Sequence, residues 1–345
     1  MNAGKIFRLL SAAGLGLLFV IDCLASPAGT GRVSSPGKVV RIGWVYAMAN
    51  APLIVAQKKG FFAEQGVNVK LTAYKSGPNV RRDLKAGRLD MAYIGAPPVY
   101  HWYAKGLKSK IIAKVNYGQA AVIVNKSSKI AKIEDLRGKK FAGVKVRSGM
   151  DVLLRGFVLD EKAGLNPRRD LNIITMKPEA MGTAIELKTV SGAFSWEPFT
   201  SKYLLRGKTK VILDINKEIP RYPWYVIMAV PDAIKHKRPE IIKILKAHKK
   251  AVNYLNSSPT AGNDIIIQAF RLSGIKKGNT VVHSPEKILS LARQRLGWQA
   301  RLTRRDTRFI QRLMNYSYNL GYLKRKLDVN EIVDISFMFD ALVNN

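Results

Sequence analysis

The sequence predicts an α/β protein built on doubly wound sheets, and three observations point there. From Val39 onward, apolar runs of strand length alternate with amphipathic runs of helix length, the pattern of strands joined by crossover helices. The junctions carry Gly, Pro, Asn and Ser, the residues that punctuate strand and helix ends. The chain has 345 residues, 47% of them hydrophobic and 24% charged. That is a globular composition, and it is long enough for two cores, because single cores stop growing near roughly 250–300 residues.

The elements follow in order. Residues 39–45 read as a buried strand. Asn50-Ala51-Pro52 starts a helix with Pro in its favoured first turn, and Gly60 stops it. Val67, Val69, Leu71 and Ala73 alternate with polar residues as a second strand does. Residues 80–86 form a short helix closed by Gly87. Residues 90–94 form a third strand that runs at once into Gly95-Ala96-Pro97-Pro98 and a helix through Ala104, and 110–115 form a fourth strand. The rhythm then repeats. Residues 141–146 are a strand, and Ser148-Gly149 opens a helix with Leu153, Leu154, Phe157 and Val158 on its apolar face, ended by Gly164. A strand at 171–176, a helix at 179–190, a short strand at Ala193-Phe194 and a strand at 225–230 follow. From Pro239 the pattern is helical to the end.

The N-terminus reads as a secretory signal. Lys5 and Arg8 supply the positive start, and residues 9–21 are apolar. Small residues in Cys23-Leu24-Ala25 place cleavage after Ala25. The apolar run is shorter than the ~20 residues a spanning helix needs, and Asp22 closes it. Asp22 also ranks acylation of Cys23, the lipoprotein reading, second. Residues 26–37, rich in Ser, Pro and Gly, are a flexible leader. A single cysteine in the chain excludes an internal disulfide, a Cys-based zinc site and an iron–sulfur cluster.

Charge is the unusual feature: 58 Lys+Arg against 24 Asp+Glu, a net +34. The excess is spread over every part of the chain and lacks a nucleic-acid module, so it reads as a basic surface that draws anions rather than a specific nucleic-acid site. His101, His236, His248 and His283 show no metal-ligand spacing. There is no nucleophile elbow, Walker loop or dinucleotide fingerprint. No acid pair suggests acid–base work, and nothing asks for a cofactor or an enzyme.

In a doubly wound sheet, ligands bind beyond the carboxyl ends of the strands. Asn50-Ala51, Gly95-Ala96-Pro97 and Ser148-Gly149 put small residues at three such ends. Bare N–H groups there favour an anion, although the same residue types cap helices for purely structural reasons.

At this point the chain resembles the periplasmic substrate-binding proteins of ABC transporters in the nitrate/sulfonate/taurine family, which share a domain with thiamine-pyrimidine precursor synthases. Ala49-Asn50-Ala51-Pro52-Leu53-Ile54-Val55-Ala56, with Lys59-Gly60-Phe61-Phe62 and Gly66-Val67-Asn68-Val69, is similar to the family's first strand–helix–strand unit. Leu89-Asp90-Met91-Ala92 and Gly95-Ala96-Pro97-Pro98 resemble its second. Glu134-Asp135-Leu136-Arg137-Gly138-Lys139-Lys140 resembles the entry to its second domain, and Trp196-Glu197-Pro198 its Trp-acid-Pro turn. Ile310-Gln311, Gly321, Asp328 and Asp334 look like its terminal helices. The chain departs from the family where a Gly-x-Val-Asp pattern is usual, carrying Lys188-Thr189-Val190-Ser191 instead. Arg147 is a second feature the family does not require.

The resemblance implies a two-lobed type II periplasmic binding fold with a cleft between the lobes. Lobe one would be 38–117 plus 231–345 and lobe two 118–230, with hinge crossings near Gly118 and Pro231. It implies a monomeric, exported solute-binding component of an ABC importer. That component would capture a small nitrate- or sulfonate-like anion by closure and be read by a permease and its ATPase. Asn50, Ala51, Gly95, Ala96, Ser148, Gly149 and Trp196 would line the cleft, with Trp44 and Tyr46 as aromatic walls. From the residues themselves, Arg147 either pairs with an anionic ligand or sits in solvent; for an amine, Asp151 and Glu197 would be the partners. A periplasmic sensor, a polyanion-binding protein and a pyrimidine-precursor synthase-like enzyme are the rival readings on the same fold. The secreted protein is expected to begin at Ser26; intact mass from the native host checks this, and a diacylglyceryl mass on Cys23 would reverse it.

Overall fold

Val40 lies beside Val69, and the pairing keeps step as far as Val45 beside Tyr74. This parallel pair belongs to the first of two five-stranded sheets in the computed structural model, which describes residues 38–343. The expected signal and leader, residues 1–37, lie outside the described residues.

In chain order the strands are β1 (Val40–Val45), β2 (Val69–Tyr74), β3 (Met91–Gly95), β4 (Lys110–Lys114), β5 (Asn116–Gly118), β6 (Ala120–Asn125) and β7 (Lys140–Gly143). Then come β8 (Asn172–Thr175), β9 (Gly192–Trp196), β10 (Thr209–Asp214), β11 (Tyr225–Ala229), β12 (Ile275–Lys277), β13 (Thr280–His283) and β14 (Leu296–Trp298). The first sheet has the order β2-β1-β3-β11-β4 and the second β10-β6-β9-β7-β8. In the first, β11 runs antiparallel to β3 and β4 while β1, β2 and β3 are parallel. In the second, β7 is parallel to β8 and β9, and β6 is antiparallel to β9 and β10. Every residue of β3 is buried, as parallel strands covered on both faces are.

Most sequence-derived elements recur within a few residues. The exceptions have physical reasons. β6 and β10 carry no turn signal strong enough to separate them from their surroundings, and they are strands because they pair with each other. The helical expectation after Pro239 is interrupted by the β12–β13 hairpin, where Gly278 takes φ 58° at the turn, and by β14 against β5. The expected strand 141–146 ends at Gly143, leaving 144–148 as the loop before the next helix. Residues 225–230, expected in the second lobe, supply β11 to the first sheet, so the return crossing lies upstream of Pro231.

The crossing is tightly built. Gly118 ends β5 with φ 74°, and a Cβ there would stand 1.9 Å from the Arg295 carbonyl oxygen; only glycine fits. The Gly118 N–H donates to the Tyr222 carbonyl at 3.1 Å, and the Tyr225 N–H to Asn116 Oδ1 at 2.8 Å. At the end of β4, four residues before Gly118, Lys114 is buried. Its ammonium donates to Asp306 Oδ1 (2.7 Å), the Arg221 carbonyl (2.8 Å) and Gln299 Oε1 (3.2 Å). Three donors meet three acceptors. Asp306 is the third residue of the helix Arg304–Asn319, and its other oxygen closes a capping box with Thr303. Burial pulls the Lys114 pKa down, opposed by Asp306.

Asp306→Ala removes the partner and leaves the ammonium buried, so urea unfolding is expected to show a loss of about 3–5 kcal/mol. The double change Lys114→Met with Asp306→Leu is expected to recover much of it, since no charge is then stranded.

Candidate functional site

The carboxyl end of β2, the helix after β3, the loop after β7 and the segment 321–325 surround a cavity of about 1120 Å³. Each wall has a local cause. β2 gives way to Ser76-Gly77-Pro78 at the start of the helix Gly77–Lys85, which carries Arg81. The helix Ala96–Ala104 begins with prolines in its first turn and presents Pro98, His101 and Trp102. Lys145 and Arg147 come from the loop after β7. Tyr322, Lys324 and Arg325 come from beyond the helix Arg304–Asn319.

The loop after β7 is held by Asp151. Ser148 caps the helix Gly149–Val152, its hydroxyl accepting the Asp151 N–H at 3.3 Å. The buried Asp151 carboxylate accepts from the Arg147 N–H (2.9 Å), Arg155 Nε (2.6 Å) and the Tyr322 hydroxyl (2.7 Å). Arg147 has φ 67°, a left-handed conformation that costs a non-glycine residue of order 1 kcal/mol. The bond to Asp151 holds it there, and its guanidinium lies 5.5 Å from the centre of the Tyr322 ring. Burial and Asp151 push the Tyr322 hydroxyl up to about 12, so it stays a donor.

The anticipated meeting of turns is visible in one respect: a Cβ on Gly149 would come within 3.1 Å of the Pro97 ring. The two turns abut. Arg147, Ser148 and Gly149 line the cavity. The other candidate residues lie elsewhere. The Ala96 N–H, expected to be bare, donates to the Trp224 carbonyl at 3.0 Å. Gly95, Ala96, Asn50 and Ala51 are buried. Asn50 Nδ2 donates to the Val45 carbonyl at 2.7 Å, and its Oδ1 has no partner among the described residues. Trp44 and Tyr46 pack with Phe270, at centroid distances of 6.3 and 5.3 Å, and the Tyr46 hydroxyl donates to the Ala269 carbonyl. These aromatics clamp a helix rather than wall the cavity. Trp196 packs edge-on against Phe199. Glu197 is buried, accepting from Arg295 Nη1 (3.1 Å) and the Ser201 N–H (3.2 Å). Burial pushes its pKa up, while Ser201 and Arg295 work against that shift.

Sequence reasoning passed over Ser76-Gly77-Pro78, although the small-residue rule applied at the other strand ends finds it equally well. Tyr322 to Arg325 carry no local signal, because only the return of the C-terminal segment brings them to the cavity.

Among the described residues no group of three His, Cys, Asp or Glu side chains could hold a metal ion, and no helix is long and apolar enough to cross a membrane. What the cavity offers is positive charge. Arg81, Lys105, Lys145, Arg147, Lys324 and Arg325 line it with His101, and no Asp or Glu does. Burial, then Lys105 and Arg147, pull the His101 imidazole down to about 4.

Comparison with known proteins places these features. The NMT1-like family model matches residues 34–269, and the chain belongs to that family. It is 25% identical over 338 residues to a Bacillus subtilis (strain 168) protein provisionally described as an aliphatic sulfonates-binding protein, covering 95% of this chain and 96% of that one. The structure is similar to the periplasmic aliphatic sulphonate binding protein SsuA of Escherichia coli, with a TM-score of 0.71 at 18% identity, covering 85% of this chain and 91% of that one. It is also similar to the periplasmic nitrate-binding protein NrtA of Synechocystis, with a TM-score of 0.69 at 17% identity over 88% of each. These likenesses define the fold as the two-lobed periplasmic binding-protein fold, one doubly wound sheet to each lobe.

His101 is expected to titrate near pH 4 in the ligand-free protein, followed by NMR of its ring protons. Its folded pKa lies below the unfolded value of about 6.5, so its neutral form favours folding above that value. Stability from this group falls as pH drops from about 6.5 towards 4, and His101→Gln is expected to flatten that part of the pH–stability curve.

Proposed function

We propose that this chain is the exported solute-binding component of an ABC importer, capturing a small organic anion in the cleft by hinge closure. It works as a monomer, delivers its ligand to a permease driven by an ATPase, and performs no catalysis itself. The names of its relatives support this, since they include aliphatic sulfonate and nitrate binding proteins. Lobe two is 118 to about 222, and the rest of the described chain forms lobe one, as the membership of β11 in the first sheet favours. Residues 1–25 direct export, consistent with their signal-like composition.

One observation carries the anion reading. The two acids that would have received an amine, Asp151 and Glu197, are both committed to internal arginines, Arg155 and Arg295. Among the described residues the Arg147 side chain keeps only an aromatic ring as partner. A cation entering the cavity meets unneutralised lysines and arginines. An anion meets forks and ammonium groups suited to sulfonate or carboxylate.

Thermal shift with benzenesulfonate, ethanesulfonate, nitrate and ethylamine tests this. A bound anion at a hundred times its Kd contributes about 2.7 kcal/mol and raises the Tm by several degrees, while ethylamine leaves it unchanged. Arg147→Ala is expected to weaken the bound anion about tenfold, the scale of one charge-assisted hydrogen bond. Stabilisation by ethylamine alone would reverse the reading.

A further inference from the structure

We propose that the natural ligand of this cleft carries at least two anionic groups on an apolar frame, a reading that rests on the anion-binding role above and narrows it. The first support is the balance of charge around the cavity. Arg81, Lys105, Lys145 and Lys324 have no hydrogen-bond or ion-pair partner for their side chains among the described residues, and Arg147 has only the Tyr322 ring. Arg325 differs, being paired with Glu331 at 3.3 Å. Five cationic side chains therefore face one cavity without a carboxylate among its lining residues. A monoanion neutralises one of them and leaves the other four without a counter-charge among the lining residues. The His101 imidazole, held down first by burial, is further disfavoured as a cation by Lys105 and Arg147.

The second support is size and lining. A volume of about 1120 Å³ matches the upper end of sites for drug-sized ligands, roughly 300–1,000 Å³, and far exceeds what an inorganic monoanion fills. Pro78, Pro98, Trp102, Tyr322 and Leu323 give apolar surface among the charges. The cations come from four separate segments: the helix after β2, the helix after β3, the loop after β7 and the stretch beyond residue 320. Charge distributed over opposing walls suits anionic groups placed apart on one frame better than a single headgroup.

Benzenesulfonate and benzene-1,3-disulfonate share a frame and differ by one charged group, so titration calorimetry with the two isolates the second charge. The disulfonate is expected to bind at least about tenfold more tightly, one further charge-assisted contact. The double variant Lys145→Ala, Lys324→Ala removes two exposed cations that support no internal contact. It is expected to keep its melting temperature, weaken the disulfonate far more than benzenesulfonate, and lose most of the disulfonate's advantage. Equal affinity of the two sulfonates, or an advantage untouched by the double variant, would overturn the proposal. If nitrate or ethanesulfonate binds and neither aromatic sulfonate does, this inference fails and the anion-binding reading stands. If no anion in the set binds, both fail.

Discussion

Lys114 has one arrangement that satisfies its charge, and the geometry of the crossing between the sheets depends on it. The ammonium is buried on the last residue of β4, where the chain leaves the first sheet. It binds the carbonyl of Arg221 on the returning segment, Gln299 just after β14, and Asp306 in the C-terminal helix. Four parts of the sequence are thereby fixed at one point. A buried ion pair of this kind contributes little net stability over an apolar replacement, but a misplaced partner strands a charge. Its contribution is therefore to specificity of arrangement: the two strands of the crossing and the C-terminal helix have to meet together. His248 continues the same theme, binding the Lys114 carbonyl through Nε2 at 2.9 Å and approaching Tyr93 in the core. Burial pulls that imidazole down to about 4, so it remains neutral and uncharged in the interior.

That fixed C-terminal helix is what completes the cleft. Beyond it the chain brings Tyr322 to Asp151 and Arg147, so one wall of the cavity comes from a segment distant in sequence from the loop it faces. The helix also packs closely on the second lobe's helical stretch Leu153–Lys162, where a Cβ on Gly156 would stand 2.4 Å from the Tyr316 ring. The Tyr316 hydroxyl and Arg312 both bind Glu161. Glycine and short polar contacts set this approach, while among the described residues Arg81, Lys105, Lys145 and Lys324 at the cavity have no hydrogen-bond or ion-pair partner.

The electrostatics separate into two populations. Three acids are buried and committed, Asp151 beside the cavity to Arg155, and away from it Glu197 to Arg295 and Asp306 to Lys114. Bases lining the cavity are exposed, apart from the half-buried Arg81, and mostly without ion-pair partners among the described residues. With a net charge of +34, the chain draws anions over its whole surface, and the arrangement of acids decides where that attraction survives at short range. The aromatic cluster of Trp44, Tyr46 and Phe270, by contrast, serves packing.

The sequence by itself determined the alternation of strands and helices, the strand-to-helix turns and the basic excess. Each of these is written in local pattern: apolar periodicity, proline at first turns, glycine at stops. It also carried the kinship, through Ala49 to Val69 and the turns at Gly95 and Trp196. Tertiary structure alone decided the rest. β11 joins the first sheet because its hydrogen-bonding partners are β3 and β4, a fact no local window contains. β6 and β10 are strands for the same reason. Asn50, Ala96 and Trp44 have the residue types of a binding turn, yet the Asn50 Nδ2, the Ala96 N–H and the Trp44 ring are taken up by neighbours. Arg147 reads from the sequence as an anion partner or a solvated arginine; its setting, with Asp151 fixing its backbone and Tyr322 receiving its guanidinium, comes only from the fold. The division follows from range: periodicity is set by neighbours a turn apart, whereas the satisfaction of a buried polar group depends on whatever the fold places beside it.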